Sequence, residues 1–389
     1  MSISQNVLNH LYGLRARFSN IVGLRLLARL LPEHPDDKLI LCSDCFKNQG
    51  LKLDAQRLGV DNDNRCPNCG STSGKKLNRW IVGGLTHRFF RWGTMVRCEY
   101  GAAPVVMFNE VHETDLDPSL PWLDHDMGLI EKTLGVGFFY YGPRLWMAGE
   151  FEALHEFTDA STRATAVKKV LDKYPAKTLR KGELFYRIRK APKQPTLGDE
   201  YDSPPIGIAG RGRLDSVDLP VMYGSPDLQV CVHECRVTAE DELYVATLAS
   251  KRDLRLLDLT ELILEEGVTE FESVDLAVHM LFLAGDHSYE IARAIAKAVH
   301  SDGFDGVIYP SYFSLLRTGT MPFETVLGIS HRIIPRFAER EKAKTIPNYA
   351  IFGRPIEDGL IEIEAINRLI LNRVEYGFHF GPVGFTEGF

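Results

Sequence analysis

The chain has 389 residues, a net charge of −7, and ordinary shares of hydrophobic (44%) and charged (25%) residues. That length predicts two or three domains, and the acidic balance gives no general drive toward nucleic acid, which is not an expected partner. No apolar run approaches the ~18 residues of a membrane span. The opening Met1-Ser2-Ile3-Ser4-Gln5-Asn6 lacks a basic stretch leading into an apolar core, so a cytoplasmic setting is expected.

Residues 1–40 place Ile3, Val7, Leu11, Leu14, Phe18, Ile21 and Leu30 at helical spacing, which predicts an amphipathic helical segment ended by Pro32 and Pro35. Residues 41–76 carry two cysteine pairs. Residues 77–178 read as mainly helical, with apolar stretches over 77–90 and 138–154. A further helix over 161–174 has Ala164, Val167, Val170 and Leu171 on one side, and Pro175 stops it.

From about residue 179 the pattern changes to short strands. Candidates are 183–189, 221–223, 243–246, 254–258, 307–309, 326–334 and 361–366. A Pro- and Gly-rich loop spans 190–212. One helix over 289–300 turns Ile291, Ala292, Ile295, Ala296 and Val299 inward. Residues 179–340 are expected to form an α+β catalytic domain, with 341–389 as an extension packed on it.

Cys42-Ser-Asp-Cys45 and Cys66-Pro-Asn-Cys69 each let two thiolates converge on one ion, and together they complete a tetrahedral four-sulfur shell. A structural Zn2+ held by Cys42, Cys45, Cys66 and Cys69 is expected. All four positions being filled, it is not catalytic. Cys98, Cys231 and Cys235 are expected to be core thiols.

Chemistry concentrates in Arg213, Tyr223, Glu234 and Ser311. Tyr223 follows Arg213 by ten positions and Glu234 follows Tyr223 by eleven; Ser311 closes Gly306-Val-Ile-Tyr-Pro-Ser. A guanidinium fork suits a pyrophosphate, an aromatic ring suits a nicotinamide or ribose face, and a carboxylate stabilises an oxocarbenium ion. A serine hydroxyl can bond an amide or ribose. Taken singly, Tyr223 would be a core aromatic, Glu234 a solvated carboxylate and Ser311 a turn hydroxyl. No Rossmann fingerprint competes, since Gly135-Val-Gly137 lacks the third glycine.

These residues and spacings resemble the RES family, named for its arginine, glutamate and serine. Tyr186-Arg187 matches the family's early Tyr-Arg strand. Where the family has Gly-Gly-Arg-Trp-Asn, this chain reads Arg211-Gly212-Arg213-Leu214-Asp215, which puts substrate contacts and turnover in question. The resemblance implies an ADP-ribosyltransferase-like fold and an enzyme that degrades NAD+, with Arg187, Arg213 and Tyr223 binding it. It also implies a toxin or defence effector, an antitoxin or inhibitory protein partner, and association into homo-oligomers. Transfer of ADP-ribose to a macromolecule and a zinc-ribbon binding protein with a decayed catalytic domain are the alternatives.

The N-terminal half resembles the HEPN-type segments that precede some RES domains. The pairs Arg29…His34 and Arg373…His379 have a HEPN-nuclease spacing, but Leu30 and Val374 stand where a polar residue belongs, and Pro32 breaks the first pair. Both read as chance.

Overall fold

The computed structural model describes residues 38–98, 101–116, 121–141, 151–208, 210, 212–320, 324–326 and 329–383. The helix expected within 1–40, the pair Arg29…His34, Arg211 and the side chain of Cys98 lie outside the described residues. The chain divides into two compact units, one of residues 1–96, 103–144 and 377–389 and one of residues 97–102 and 145–376. Helices and several sheets make the fold α+β.

The first unit is built on the cysteine pairs. Strand β1 (Leu39–Cys42) pairs antiparallel with β2 (Lys76–Asn78), so both ends of the cysteine-bearing loop are tied to one ladder. Helix α1 (Gln49–Leu58) starts where the Asn48 side chain accepts the Leu51 N–H at 3.1 Å. Asn78 caps α2 (Arg79–Thr86) in the same way, through Ile81. Helix α3 (Pro121–Leu134) carries the fully buried Asp126, whose two oxygens accept the backbone N–H groups of Lys47 and Asn48 at 2.9 and 2.6 Å. That satisfies a carboxylate which could not otherwise be buried. Phe138–Tyr140 is strand, not helix: β4 (Gly137–Tyr140) pairs with β3 (Val106–Asn109). Its Phe138 packs against Phe90, which an alternating aromatic run does as well in a strand as in a helix. The chain's far end also belongs to this unit, where Phe380 N–H donates to Asp54 and the Arg57 guanidinium lies 4.5 Å over the Phe378 ring.

The second unit holds two sheets. Helices α4 (Glu152–Thr158) and α5 (Arg163–Lys173) precede β5 (Ala176–Leu179) and β6 (Leu184–Lys190). In α5 the buried stripe is Ala166, Val167 and Val170, with Ala164 outside it. Then come β7 (Val221–Gly224), α6 (Leu228–Glu234), β8 (Leu243–Ser250), β9 (Leu254–Asp258), α7 (Val274–Leu283), α8 (Tyr289–Ser301) and β10 (Gly306–Pro310). The strand expected over 326–334 is instead a two-residue hairpin, β11 (Thr325–Val326) with β12 (Ile329–Ser330), followed by a 3-10 turn. Strands β13 (Pro347–Phe352) and β14 (Ile361–Leu369) complete the unit from within the C-terminal stretch.

The larger sheet runs β5-β9-β10-β13-β7, all antiparallel except β9 with β10; the smaller runs β14-β8-β6. Period-two alternation sorts their side chains. Val221, Val307, Tyr309, Ala350 and Phe352 enter the core beneath α4, α5, α7 and α8. Met222, Ile308, Tyr349 and Ile351 face the smaller sheet, against Phe185, Ala246 and Leu248. Helix α8 buries Ile291, Ala292, Ile295, Ala296 and Val299, the five positions its periodicity predicts.

Candidate active site

The four predicted residues converge within the second unit. Arg187, Arg213, Tyr223 and Glu234 line one cavity of about 670 Å³, and Ser311 bonds to Glu234 at its wall. That volume suits a small organic ligand. The cavity also takes Arg189, Arg236, Tyr289, Tyr309 and Asn348, none of which stood out in the sequence as a site residue.

Glu234 is the last residue of α6. Its Oε1 accepts the Ser311 hydroxyl and the Asn348 amide, both at 2.7 Å. Ser311 follows β10 directly and Asn348 sits near the start of β13, so adjacent strand ends meet the helix terminus. The Ser311 Oγ also accepts the Phe313 N–H at 3.1 Å, which leaves its single proton for Glu234.

Tyr223 holds structure rather than offering a free hydroxyl. Its oxygen accepts the Leu214 and Asp215 N–H groups at 2.8 and 3.0 Å and donates to Asp215 Oδ1 at 2.8 Å. Burial, with the nearby Tyr309 and Asp215, pushes its phenol well above the usual range, so it keeps its proton. The two residues that depart from the RES pattern are both engaged: Leu214 is fully buried in the helix-side core, and Asp215 accepts the tyrosine hydroxyl's hydrogen bond. The preceding glycine is required by approach, since a Cβ at Gly212 would lie 2.3 Å from Asp215 Oδ1 and 2.7 Å from the Tyr223 hydroxyl.

The arginines bond to carbonyl oxygens. Arg213 donates to Leu281 and Ala284 at 2.8 and 2.9 Å, capping α7, with its guanidinium 4.8 Å over Tyr289. Arg187 donates to Tyr223 and Asp202 at 2.7 and 3.2 Å, and Arg189 to Glu200 and Asp202, each at 2.6 Å. The buried Nε of Arg187 has no partner. Burial and the neighbouring Arg189 charge lower the Arg187 guanidinium to about 9. Among the described residues none of these three is ion-paired to a carboxylate, although Glu234 and Asp286 line the same cavity. Such a wall invites an anion.

Cys231 and Cys235 flank Glu234 on the cavity wall, their thiols donating to the carbonyls of Tyr186 and Ile188. Burial pushes Cys231 up to about 12, which leaves it an inert thiol.

Residues 184–319 match the family model of the RES domain. This segment is a RES domain. It contains the arginines, Tyr223, Glu234 and Ser311, whereas Asn348 lies beyond it. The chain is also similar to a chain in the crystal structure of the M. tuberculosis MbcT–MbcA toxin–antitoxin complex, at 15% identity over 52% of this chain and 91% of that one, with a TM-score of 0.30. No curated protein matches the chain.

The four cysteines form a separate cluster in the first unit, their sulfurs within 4.8 Å of one another. Sγ distances of 3.5–3.8 Å between Cys42 and Cys45, Cys42 and Cys69, and Cys45 and Cys66 fit the ~3.8 Å edge of a tetrahedron with ~2.3 Å zinc–sulfur bonds. Gly70 closes the second turn at φ +73°, its N–H donating to the Cys66 carbonyl. The donor set is compatible with a structural Zn2+. Glu324, His331 and Glu341 also cluster, but the Lys344 ammonium already bridges both carboxylates. The Arg373…His379 pair is engaged elsewhere: Arg373 pairs with Glu375, and His379 lies edge-on to Trp92.

Proposed function

We propose that the RES domain cleaves the nicotinamide–ribose bond of NAD+, as a glycohydrolase or phosphorylase. The observation that carries this reading is the Glu234 carboxylate, fixed by Ser311 and Asn348, in a cavity whose Arg187, Arg189 and Arg213 are in no ion pair among the described residues. In this reading the pyrophosphate supplies the missing negative charge to Arg187 and Arg213. Tyr223 and the aromatic walls give apolar faces for the rings.

Chemically, the ribose C1′–N bond breaks and its electron pair goes to the pyridinium nitrogen, which leaves as neutral nicotinamide. No general acid is needed for that departure. The oxocarbenium left behind is stabilised by the Glu234 carboxylate. Water or phosphate then adds to C1′, and the attacking water's proton passes to Glu234 or solvent.

The RES family resemblance extends the proposal to a toxin or defence effector restrained by an antitoxin or inhibitory protein, with homo-oligomers part of the same expectation. No described helix is long and apolar enough to cross a membrane.

The test is to incubate purified protein with NAD+ and follow free nicotinamide. Release of nicotinamide supports the reading, and its absence overturns it. Ribose-labelled NAD+ separates the products: label in free ADP-ribose indicates hydrolysis, in a phosphorylated product phosphorolysis, and on a macromolecule transfer.

A further inference from the structure

Strand β13 lies in the interior of the larger sheet, between β10 and β7, where apolar side chains are the rule. Asn348 breaks that rule and is 2% exposed. Alternation places it on the same face as Ala350 and Phe352, and it pairs in register with Tyr309. A buried carboxamide is costly unless its polar atoms are engaged. Its Nδ2 meets Glu234 Oε1 at 2.7 Å. An ionised carboxylate can only accept and an amide NH2 can only donate, so the sense of the bond is fixed by chemistry.

Glu234 itself is exposed at a helix end, where a glutamate ordinarily samples several rotamers. Here Ser311 and Asn348 both donate to the same oxygen. Among the described residues Oε2 has no hydrogen-bond donor. One oxygen is thus anchored and the other is free to face a reacting centre. Ser311 belongs to the RES segment; Asn348 comes from a strand outside it, about 114 positions from Glu234 in sequence.

We propose that Asn348 is a positioning residue that, with Ser311, anchors Glu234 Oε1 and presents Oε2 to the substrate. This rests on the NAD+-cleaving reading for its kinetic consequence, though not for the geometry itself. Removing the amide leaves Ser311 alone on the carboxylate and frees a rotation. The loss should fall on the chemical step, because Asn348 touches the carboxylate and not the pyrophosphate-binding arginines.

The experiment compares full-length wild type with Asn348→Ala and the isosteric Asn348→Asp, following nicotinamide release against NAD+ concentration. Asn348→Ala should lower kcat on the order of 10- to 100-fold, the scale of a lost charge-assisted hydrogen bond, with KM nearly unchanged. Asn348→Asp fills the same volume but cannot donate when ionised, so it should be no better than alanine. Wild-type kcat in either variant, or a loss confined to KM, would overturn the assignment.

A second readout needs no turnover and serves if alanine unfolds the sheet. The side-chain NH2 signals of Asn348, identified in 15N-asparagine-labelled protein by their absence from Asn348→Asp, are followed in wild type and in Glu234→Ala at one pH. Slowed proton exchange in wild type that speeds up in Glu234→Ala supports the anchor, and equal exchange in both rejects it. Absent nicotinamide release from wild type would instead reject the functional reading and leave the exchange measurement to judge Asn348.

Discussion

The Tyr223 hydroxyl donates to Asp215 Oδ1 at 2.8 Å while it receives the N–H groups of Leu214 and Asp215. One phenol oxygen therefore clamps the turn that carries Arg213. The RES resemblance implies a stacking role for the Tyr223 ring; in the structure its hydroxyl is engaged in holding the turn. Tyr223→Phe keeps the ring and removes the clamp. Two backbone donors and the 5%-exposed Asp215 carboxylate then lose a partner. The expected cost is ~1–3 kcal/mol in urea unfolding, with slower NAD+ turnover as the Arg213 turn loosens. Unchanged stability would show that the clamp does not hold the turn.

Arg187 tests the charge argument. The residue is 7% exposed, and its guanidinium is bonded to two carbonyls, orphaned at Nε and lowered to about 9. Below that pH it keeps its charge, so at neutral pH the cavity still presents an unpaired cation. Pyrophosphate or ADP-ribose should therefore raise the melting temperature, by an amount equivalent to ~2.7 kcal/mol at a hundredfold excess over Kd. Arg187→Met retains the apolar stem and should abolish most of the shift. An equal shift in both proteins would place the anion elsewhere.

The cysteine cluster makes a compositional prediction. Metal analysis should find one zinc per chain, lost on Cys66→Ser or strong chelation. Because metal binding energy is folding energy in such modules, the first unit should then unfold well below its holo transition. Four freely titratable thiols in the native, metal-free protein at an unaltered melting temperature would contradict it.

How far the sequence is legible depends on what each residue faces. Helix α8 is readable because Ile291, Ala292, Ile295, Ala296 and Val299 form one stripe against a polar face. Helix α7 is not, because Val274 to Phe282 are all buried, Asp275 and His279 included, so no polar face sets off an apolar stripe. The run 326–334 reads as a strand from its isoleucines, yet Ser330 accepts the Arg332 N–H and turns the chain into a 3-10 bend. Arg213, Tyr223, Glu234 and Ser311 are found because their residue types and spacing resemble the RES family. Asn348 is not, because its only local sign is one polar residue in the strand Pro347–Phe352, and its meaning depends on a carboxylate 114 positions away.

The central claim is that Glu234 is the carboxylate that supports cleavage of the nicotinamide–ribose bond. The most direct measurement is nicotinamide release from NAD+ by wild type and by Glu234→Gln, with matched melting curves to show that both are folded. Glutamine keeps the shape and an oxygen for Ser311 and Asn348 but removes the charge. The account predicts release by wild type and a loss of at least ~100-fold in kcat for Glu234→Gln, the scale of a missing electrostatic stabiliser. No nicotinamide from wild type, or equal release from both folded proteins, would contradict it.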